Sequence, residues 1–278
     1  MRQDGARPPA MMAAHESPQS FRILVVIPTL GKRLDTLDRA LASIQKQSGV
    51  LVDTLIVAKT ASKELYRIAG RYHARILVHP GNISAAVNAG FAQATDAHWY
   101  AAWLGDDDML CPHSLAHASA LLESSPAAVV AYGSCNYVDL AGKLLFCRRP
   151  PFMAPTLLHF VPGLIKQETC LFRLSALKRA GGLDEKLKYT MDLDLLLRLR
   201  RHGPFIKTNQ VTAAFRWHPG SLTIANRKAS LLEAQFVQRR HARGFFLRLG
   251  YGLLKLPVKG LILALDWKIN RDIKNARR

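Results

Sequence analysis

The 278-residue chain lacks most of the short motifs that mark a function outright. Its four cysteines, at 111, 135, 147 and 170, include no CxxC pair. That excludes a zinc-ribbon or finger site and points to reduced thiols in a cytosolic protein. No GxGxxG, P-loop or GxSxG occurs, so the common dinucleotide, NTPase and hydrolase signatures are missing. His113 and His117 stand four apart without the glutamate of a zinc-protease helix. No run approaches the ~20 uninterrupted apolar residues of a membrane span, and the first twenty residues carry no signal-peptide core. With 18 Gly, 14 Pro and no period, collagen-like and low-complexity readings fail. Acids are scarce: 20 Asp+Glu face 39 Lys+Arg, giving a net charge of +19. That imbalance asks for a polyanionic partner, whether nucleic acid, anionic membrane or a phosphorylated ligand.

What is present is the composition of a globular chain, 49% apolar and 21% charged. Residues 1–20 read as a loose, disordered tail. FRILVVIPTL (21–30) is a short apolar run rich in β-branched residues, the pattern of a buried parallel strand. LDTLDRALASIQKQS (34–48) places Leu34, Leu37, Leu41 and Ile44 on one helical face. Strand-like runs at 50–59, 74–80 and 98–105 then alternate with helical patterns at 63–73 and 83–95. Strand–helix alternation predicts a Rossmann-like, mostly parallel sheet flanked by helices, an α/β fold. Ligands of such sheets sit at the carboxyl ends of the strands. Further on, 112–125 reads as helix, 127–139 and 143–149 as strands, 169–184 as strand into helix, and 192–203 as an amphipathic helix.

The segment Gly105-Asp106-Asp107-Asp108 directly follows the apolar strand HWYAAWL. Three adjacent carboxylates at the end of a buried strand repel one another unless a cation or hydrogen-bond donors compensate. Mg2+ or Mn2+ suits them, because hard cations take carboxylate oxygens and bridge phosphates; an acidic helix-capping loop is the plainer alternative. Asp192 and Asp194, spaced by two, cannot share one helical face. One fits a helix cap, and the other could act as general base on a hydroxyl. His218, in FRWHPGSLT, is a lone histidine.

Five segments together carry a resemblance: VVIPTLGKRLDTLDRALASIQKQS, GNISAAVNAGFAQAT, WLGDDDMLCPHSL, FRLSALKRAGGLDEKLKYTMDLDLLLRL and FRWHPGSLT. In this order over residues 21–225 the chain resembles a bacterial family-2 inverting glycosyltransferase of GT-A fold. The resemblance implies a nucleotide-sugar donor, a Mn2+ or Mg2+ cofactor and a transferase that displaces at the anomeric carbon. It implies a domain of two halves, 21–110 for the donor and 111–225 for the acceptor. By motif it assigns Asp107 and Asp108 to metal, Asp106 to the ribose side and Asp192 to the catalytic base. Pro28 and Thr29 match the turn that cradles the nucleotide, Asn88 the asparagine of the helix beneath it, and His218 and Ser221 a loop that approaches the diphosphate. The family's Asp-Asp-Gly-Ser after the second strand is here Lys59-Thr60-Ala61-Ser62, so Lys59 stands where a carboxylate contacts the base. A UDP-sugar is the favoured donor, with another nucleotide open. Gly105 likewise replaces the leading acid of the usual motif.

Residues 226–278 form a basic helical extension with thirteen Lys+Arg against three acids. Its stretch 244–269 mixes apolar and cationic side chains in the manner of a peripheral membrane surface, or of a helix packed on its own domain. The membrane reading implies a polyprenyl-diphosphate-linked or other glycan acceptor, polysaccharide synthesis at the cell surface, and a place in the cytoplasm at the inner face of the membrane. Two rivals remain at this point. A nucleic-acid-binding protein would explain the charge but not GDDD, and is disfavoured; a degenerate nucleotide-binding scaffold would explain the missing Asp-Asp-Gly-Ser.

Overall fold

The computed structural model describes residues 22–217, 226–242 and Gly260. Strand β1 (Arg22–Thr29) is followed by α1 (Leu34–Gln45), β2 (Leu51–Ala58), α2 (Lys63–Arg71), β3 (Arg75–Val78), α3 (Ile83–Phe91) and β4 (His98–Trp103). Then come β5 (Met109–Leu110), α4 (Ser114–Ser124), β6 (Val130–Val138), β7 (Leu144–Arg148), α5 (Ala154–Leu157), β8 (Cys170–Arg173), α6 (Leu174–Ala180), α7 (Met191–Leu199), β9 (Phe205–Arg216) and α8 (Arg227–His241).

The strands make one sheet in the order β3-β2-β1-β4-β8-β6-β9-β5, with β7 pairing β6 outside that path. Pairing is parallel from β3 through β4, as the strand–helix alternation requires. Beyond β4 the sheet is mixed: β8 runs antiparallel to both β4 and β6, whereas β9 runs parallel to β6. The mostly parallel expectation therefore describes the first half, and the second half owes its mixed pairing to contacts distant in sequence.

Strand β1 is buried on both faces and its side chains alternate between two cores. Leu24 and Val26 pack with α3, α6 and α7, and Ile23, Val25 and Ile27 with α1, α2 and α4. Each such aliphatic side chain stabilises the fold by about 1.5–3 kcal/mol on full burial. Helix α1 meets the sheet through Leu37, Ala40, Leu41 and Ile44, at helical spacing. Pro28, which has no N–H to offer, lies beyond the last β1–β4 rung at Val26↔Trp103 and keeps only its β2 neighbour, Val57.

Strand directions gather the carboxyl ends of β1, β2, β4, β6 and β9 along one edge. Because β8 is antiparallel, its beginning reaches that same edge, bringing the preceding residues Lys166–Thr169 beside the loop after β4. Helix α8, which opens the basic extension, packs into the core through Ala234 and Val237. Among the described residues no helix is long and apolar enough to cross a membrane. All four cysteines are free. Residues 1–20, His218, Ser221 and, apart from Gly260, the stretch 244–269 lie outside the described residues.

Candidate active site

The loop after β4 is a tight turn in which the Asp108 N–H donates to the Gly105 carbonyl at 3.2 Å. A Cβ at Gly105 would sit 2.7 Å from Asp108 Oδ2 and 3.2 Å from Asp107 Oδ1. A side chain there would have to push the Asp108 carboxyl aside, which suits glycine to this place. The turn splays its three carboxylates in two directions.

Asp106 and Asp107 face the end of β1. The Thr29 hydroxyl donates to Asp106 Oδ2 at 2.6 Å and accepts from the Gly31 N–H at 3.0 Å. The Arg33 guanidinium bridges the pair, with Nη2 to Asp106 Oδ1 and Nη1 to Asp107 Oδ2 both at 2.6 Å. Burial pushes the Asp106 carboxyl up, against the pull of Thr29 and Arg33. Two hard oxygens thus converge on one cation position that Arg33 fills. Such a pair fits Mg2+ or Mn2+, which draw their remaining ligands from phosphate and water. Among the described residues no group of three or more His, Cys, Asp or Glu side chains forms a ready cage.

Asp108 turns the other way. Buried, it accepts from the Arg216 backbone N–H at 3.1 Å. Burial, with Glu168 and Asp107 nearby, raises its carboxyl well above the ordinary carboxylate range. It therefore does not share the Arg33 position with Asp107, contrary to the expected Asp107–Asp108 metal pair; Asp106 does. Arg216 fixes this arrangement from a position only 2% exposed. Its Nε donates to the Asp107 carbonyl at 3.2 Å and its Nη1 to the Leu140 carbonyl at 2.5 Å.

Glu168, also buried, lies 3.5 Å from Lys166 Nζ, and the Cys135 thiol approaches it at 3.6 Å. Lys166 stands over the Phe215 ring at 4.4 Å, and Phe215 packs on Tyr137, which stacks on Phe146. Burial works against the Lys166 ammonium, but Glu168, Tyr137 and Asp192 hold its proton firmly. Burial raises the thiols of Cys135 and Cys170, so neither is a ready nucleophile.

Asp192 occupies the second position of α7, facing Lys166 and Glu168. Burial lifts its carboxyl above the usual range, with Glu168 adding to the lift, while Lys166 and the Leu193 N–H oppose it. Asp194 points elsewhere, as a spacing of two dictates. It is 0% exposed and accepts from Arg198 Nε at 2.8 Å, His241 Nε2 at 2.6 Å and Arg240.

Of the other expected donor contacts, Thr29 and Pro28 lie at the end of β1 beside the acids. Lys59 is exposed at the end of β2, its N–H donating to the Thr29 carbonyl at 3.0 Å. Asn88 is not brought to the acids. Its carboxamide accepts from the Leu183 N–H at 2.8 Å and donates to the Leu183 carbonyl at 2.9 Å and to Glu185 at 3.1 Å. It ties α3 to the loop before α7 instead. Arg33, Lys166, Glu168 and Arg216 were missed from sequence. A buried acid flanked by a lysine two residues back, immediately before the strand TCLF, was the available signal for Glu168.

Residues 24–157 match the family described as Glycosyl transferase family 2. That segment, just under half of the chain, is similar to family-2 glycosyltransferase domains. It is 25% identical over 199 residues to an uncharacterized glycosyltransferase of Rickettsia prowazekii, covering 68% of this chain and 61% of that relative's length. Its fold is that of GT-A glycosyltransferase structures. The S. aureus TarS 1-349 structure in complex with UDP-GlcNAc matches with TM-score 0.62 and 15% identity, over 80% of this chain and 66% of that one. The mannosyltransferase PcManGT from Pyrobaculum calidifontis, in complex with GDP-Man and Mn2+, matches with TM-score 0.60 and 13% identity, over 93% of this chain and 81% of that one. The family match ends before α7, so Asp192 and its surroundings lie outside it.

Proposed function

We propose that the domain is an inverting, metal-dependent glycosyltransferase that moves a sugar from a nucleotide-sugar to a hydroxyl of a glycan or lipid-linked acceptor. The observation that carries this reading is the two-way split of the acidic loop. One side offers a paired-carboxylate cation position at the end of β1, and the other leads through Glu168 and Lys166 to a carboxyl of raised basicity at the start of α7. Asp192 takes the acceptor hydroxyl's proton as that oxygen attacks the anomeric carbon. Its raised basicity suits the task, and Lys166 favours the carboxylate form that must accept the proton. Asp106 and Asp107 would hold Mn2+ or Mg2+, which when bound offsets the charge gathering on the leaving diphosphate. Thr29, Pro28 and the exposed Lys59 border the donor on this reading, and His218 and Ser221 keep the roles their motif implies.

TarS in complex with UDP-GlcNAc and PcManGT with GDP-Man and Mn2+ support a nucleotide-sugar donor and a divalent ion. A UDP-sugar remains our favoured donor, and a polyprenyl-diphosphate-linked saccharide our favoured acceptor, reached at the cytoplasmic face of the membrane through 244–269. The test is a thermal-shift panel of UDP and GDP with and without Mn2+. Mn2+-dependent stabilisation by one of them, abolished in Asp107→Ala, is expected; no shift with either nucleotide would sink the reading.

A further inference from the structure

Helix α8 lies outside the family match, yet it reaches back to the start of α7. Glu233 Oε1 accepts from the Lys188 N–H at 2.9 Å. Its Oε2 accepts from the Tyr189 N–H at 2.7 Å, the Thr190 N–H at 2.8 Å and the Thr190 hydroxyl at 3.0 Å. Three successive backbone donors converge on one carboxylate, an arrangement stronger than neutral capping. Thr190 is the residue on which α7 starts, and its own side chain provides no cap. Its carbonyl accepts the first helical bond, from Asp194 N–H at 3.1 Å.

Other contacts set the place of α8 without help from Glu233. Ala234 and Val237 are buried, Gln238 donates to the Leu158 carbonyl at 3.1 Å, and Arg240 pairs with Asp184 at 2.8 Å. The helix is therefore a fixed post, and Glu233 the arm by which it holds the entry to α7.

We propose that Glu233 is a positioning residue for Asp192: by gripping the amides of residues 188–190 from α8, it sets the rotation and height of the first turn of α7. A reacting group displaced by about 1 Å loses on the order of 100-fold in rate, so a loosened turn is felt at once in transfer. The inference rests on Asp192 being the base.

The test compares Glu233→Gln with wild type in the full chain. Glutamine keeps the shape but presents one acceptor oxygen where four donors converge. Amide exchange at 188–190 is expected to speed up by at least tenfold. The Asp192 carboxyl, followed by carbon NMR, is expected to titrate closer to an ordinary aspartate as the loosened turn lifts it out of its buried place. Release of UDP from UDP-GlcNAc or GDP from GDP-mannose should fall 10- to 100-fold, with Mn2+–nucleotide affinity changed less than twofold. In an Asp192→Asn background Glu233→Gln should cause no further loss. Faster amide exchange with an unmoved Asp192 titration would overturn the proposal, as would an equal loss of nucleotide affinity. Should Glu233→Gln fail to fold, Thr190→Val removes one of the four donors and is expected to move the same readouts by a smaller amount; unmoved readouts there overturn it equally. If Asp192→Asn itself turns over like wild type, the assignment of the base fails instead, which keeps the two failures distinguishable.

Discussion

Asp192 and Asp194 stand two residues apart in the first turn of one helix, yet their surroundings drive them to opposite ends of carboxylate behaviour. Asp194 meets Arg198, Arg240 and His241, and these partners overcome its burial and hold the carboxyl well below the ordinary range. At Asp192 the opposing charge of Lys166, which also pairs with Glu168, does not outweigh burial, and the carboxyl rises. The same residue type becomes an anchor on one face and, in the proposed reading, a proton acceptor on the other, the pattern by which paired carboxyls divide roles. The acidic loop repeats the lesson: Asp106 and Asp107 share an exposed arginine, while Asp108 is sealed against Arg216.

Substitutions that erase one member of each pair put this contrast at risk. The largest effect belongs to Asp192→Asn, expected to lower turnover by about 10³-fold, within the range of a lost general base, while Tm and Mn2+–nucleotide binding stay at wild-type levels. The acid limb of the wild-type turnover profile should lie above the ~3.9 of a free aspartate. Asp194→Asn should do the reverse, costing about 3 kcal/mol in denaturant unfolding through its stranded cationic partners, with turnover per folded molecule near wild type. A depressed carboxyl contributes stability above its unfolded value and loses it as pH falls. The gap between wild type and Asp194→Asn should therefore be constant from about pH 5 to 8 and close below about pH 4. Arg33→Gln is the mildest. Its side chain is 47% exposed, so unfolding should shift by less than about 1 kcal/mol, whereas Mn2+ without nucleotide should bind several-fold tighter once the competing cation is gone. Unchanged Mn2+ affinity would show that Arg33 and the metal do not share a position.

The N-terminal half of the sheet was legible because its signals are local. Its continuous apolar run, helical stripe and strand-terminal acid cluster are each read from a few consecutive residues, and β1, α1, β2 and β4 appear close to their expected bounds. Asp192 was readable only as part of a motif, since spacing alone left it level with Asp194. The later half resisted because its information is relational. The twelve-residue β9 carries few aliphatic residues and earns its place by pairing with β6 and β5. Lys166 and Glu168 look like ordinary charges of a basic chain until the sheet brings them to the edge, and Glu233 until α8 docks beside the start of α7. Asn88 illustrates the converse: a residue that motif places beneath the nucleotide is engaged in joining α3 to the loop before α7.

The fully buried Arg216 has a consequence for the order of synthesis. The acidic turn is encoded before residue 110, but the guanidinium and amide that lock it arrive more than a hundred residues later, at the end of β9. A nascent chain emerging from the ribosome can lay down its parallel strands early, with Arg33 at hand for Asp106 and Asp107, and still lack the amide that holds Asp108. The catalytic edge is thus among the last parts of the domain to set, and a chain truncated before residue 216 keeps a sheet without a finished centre.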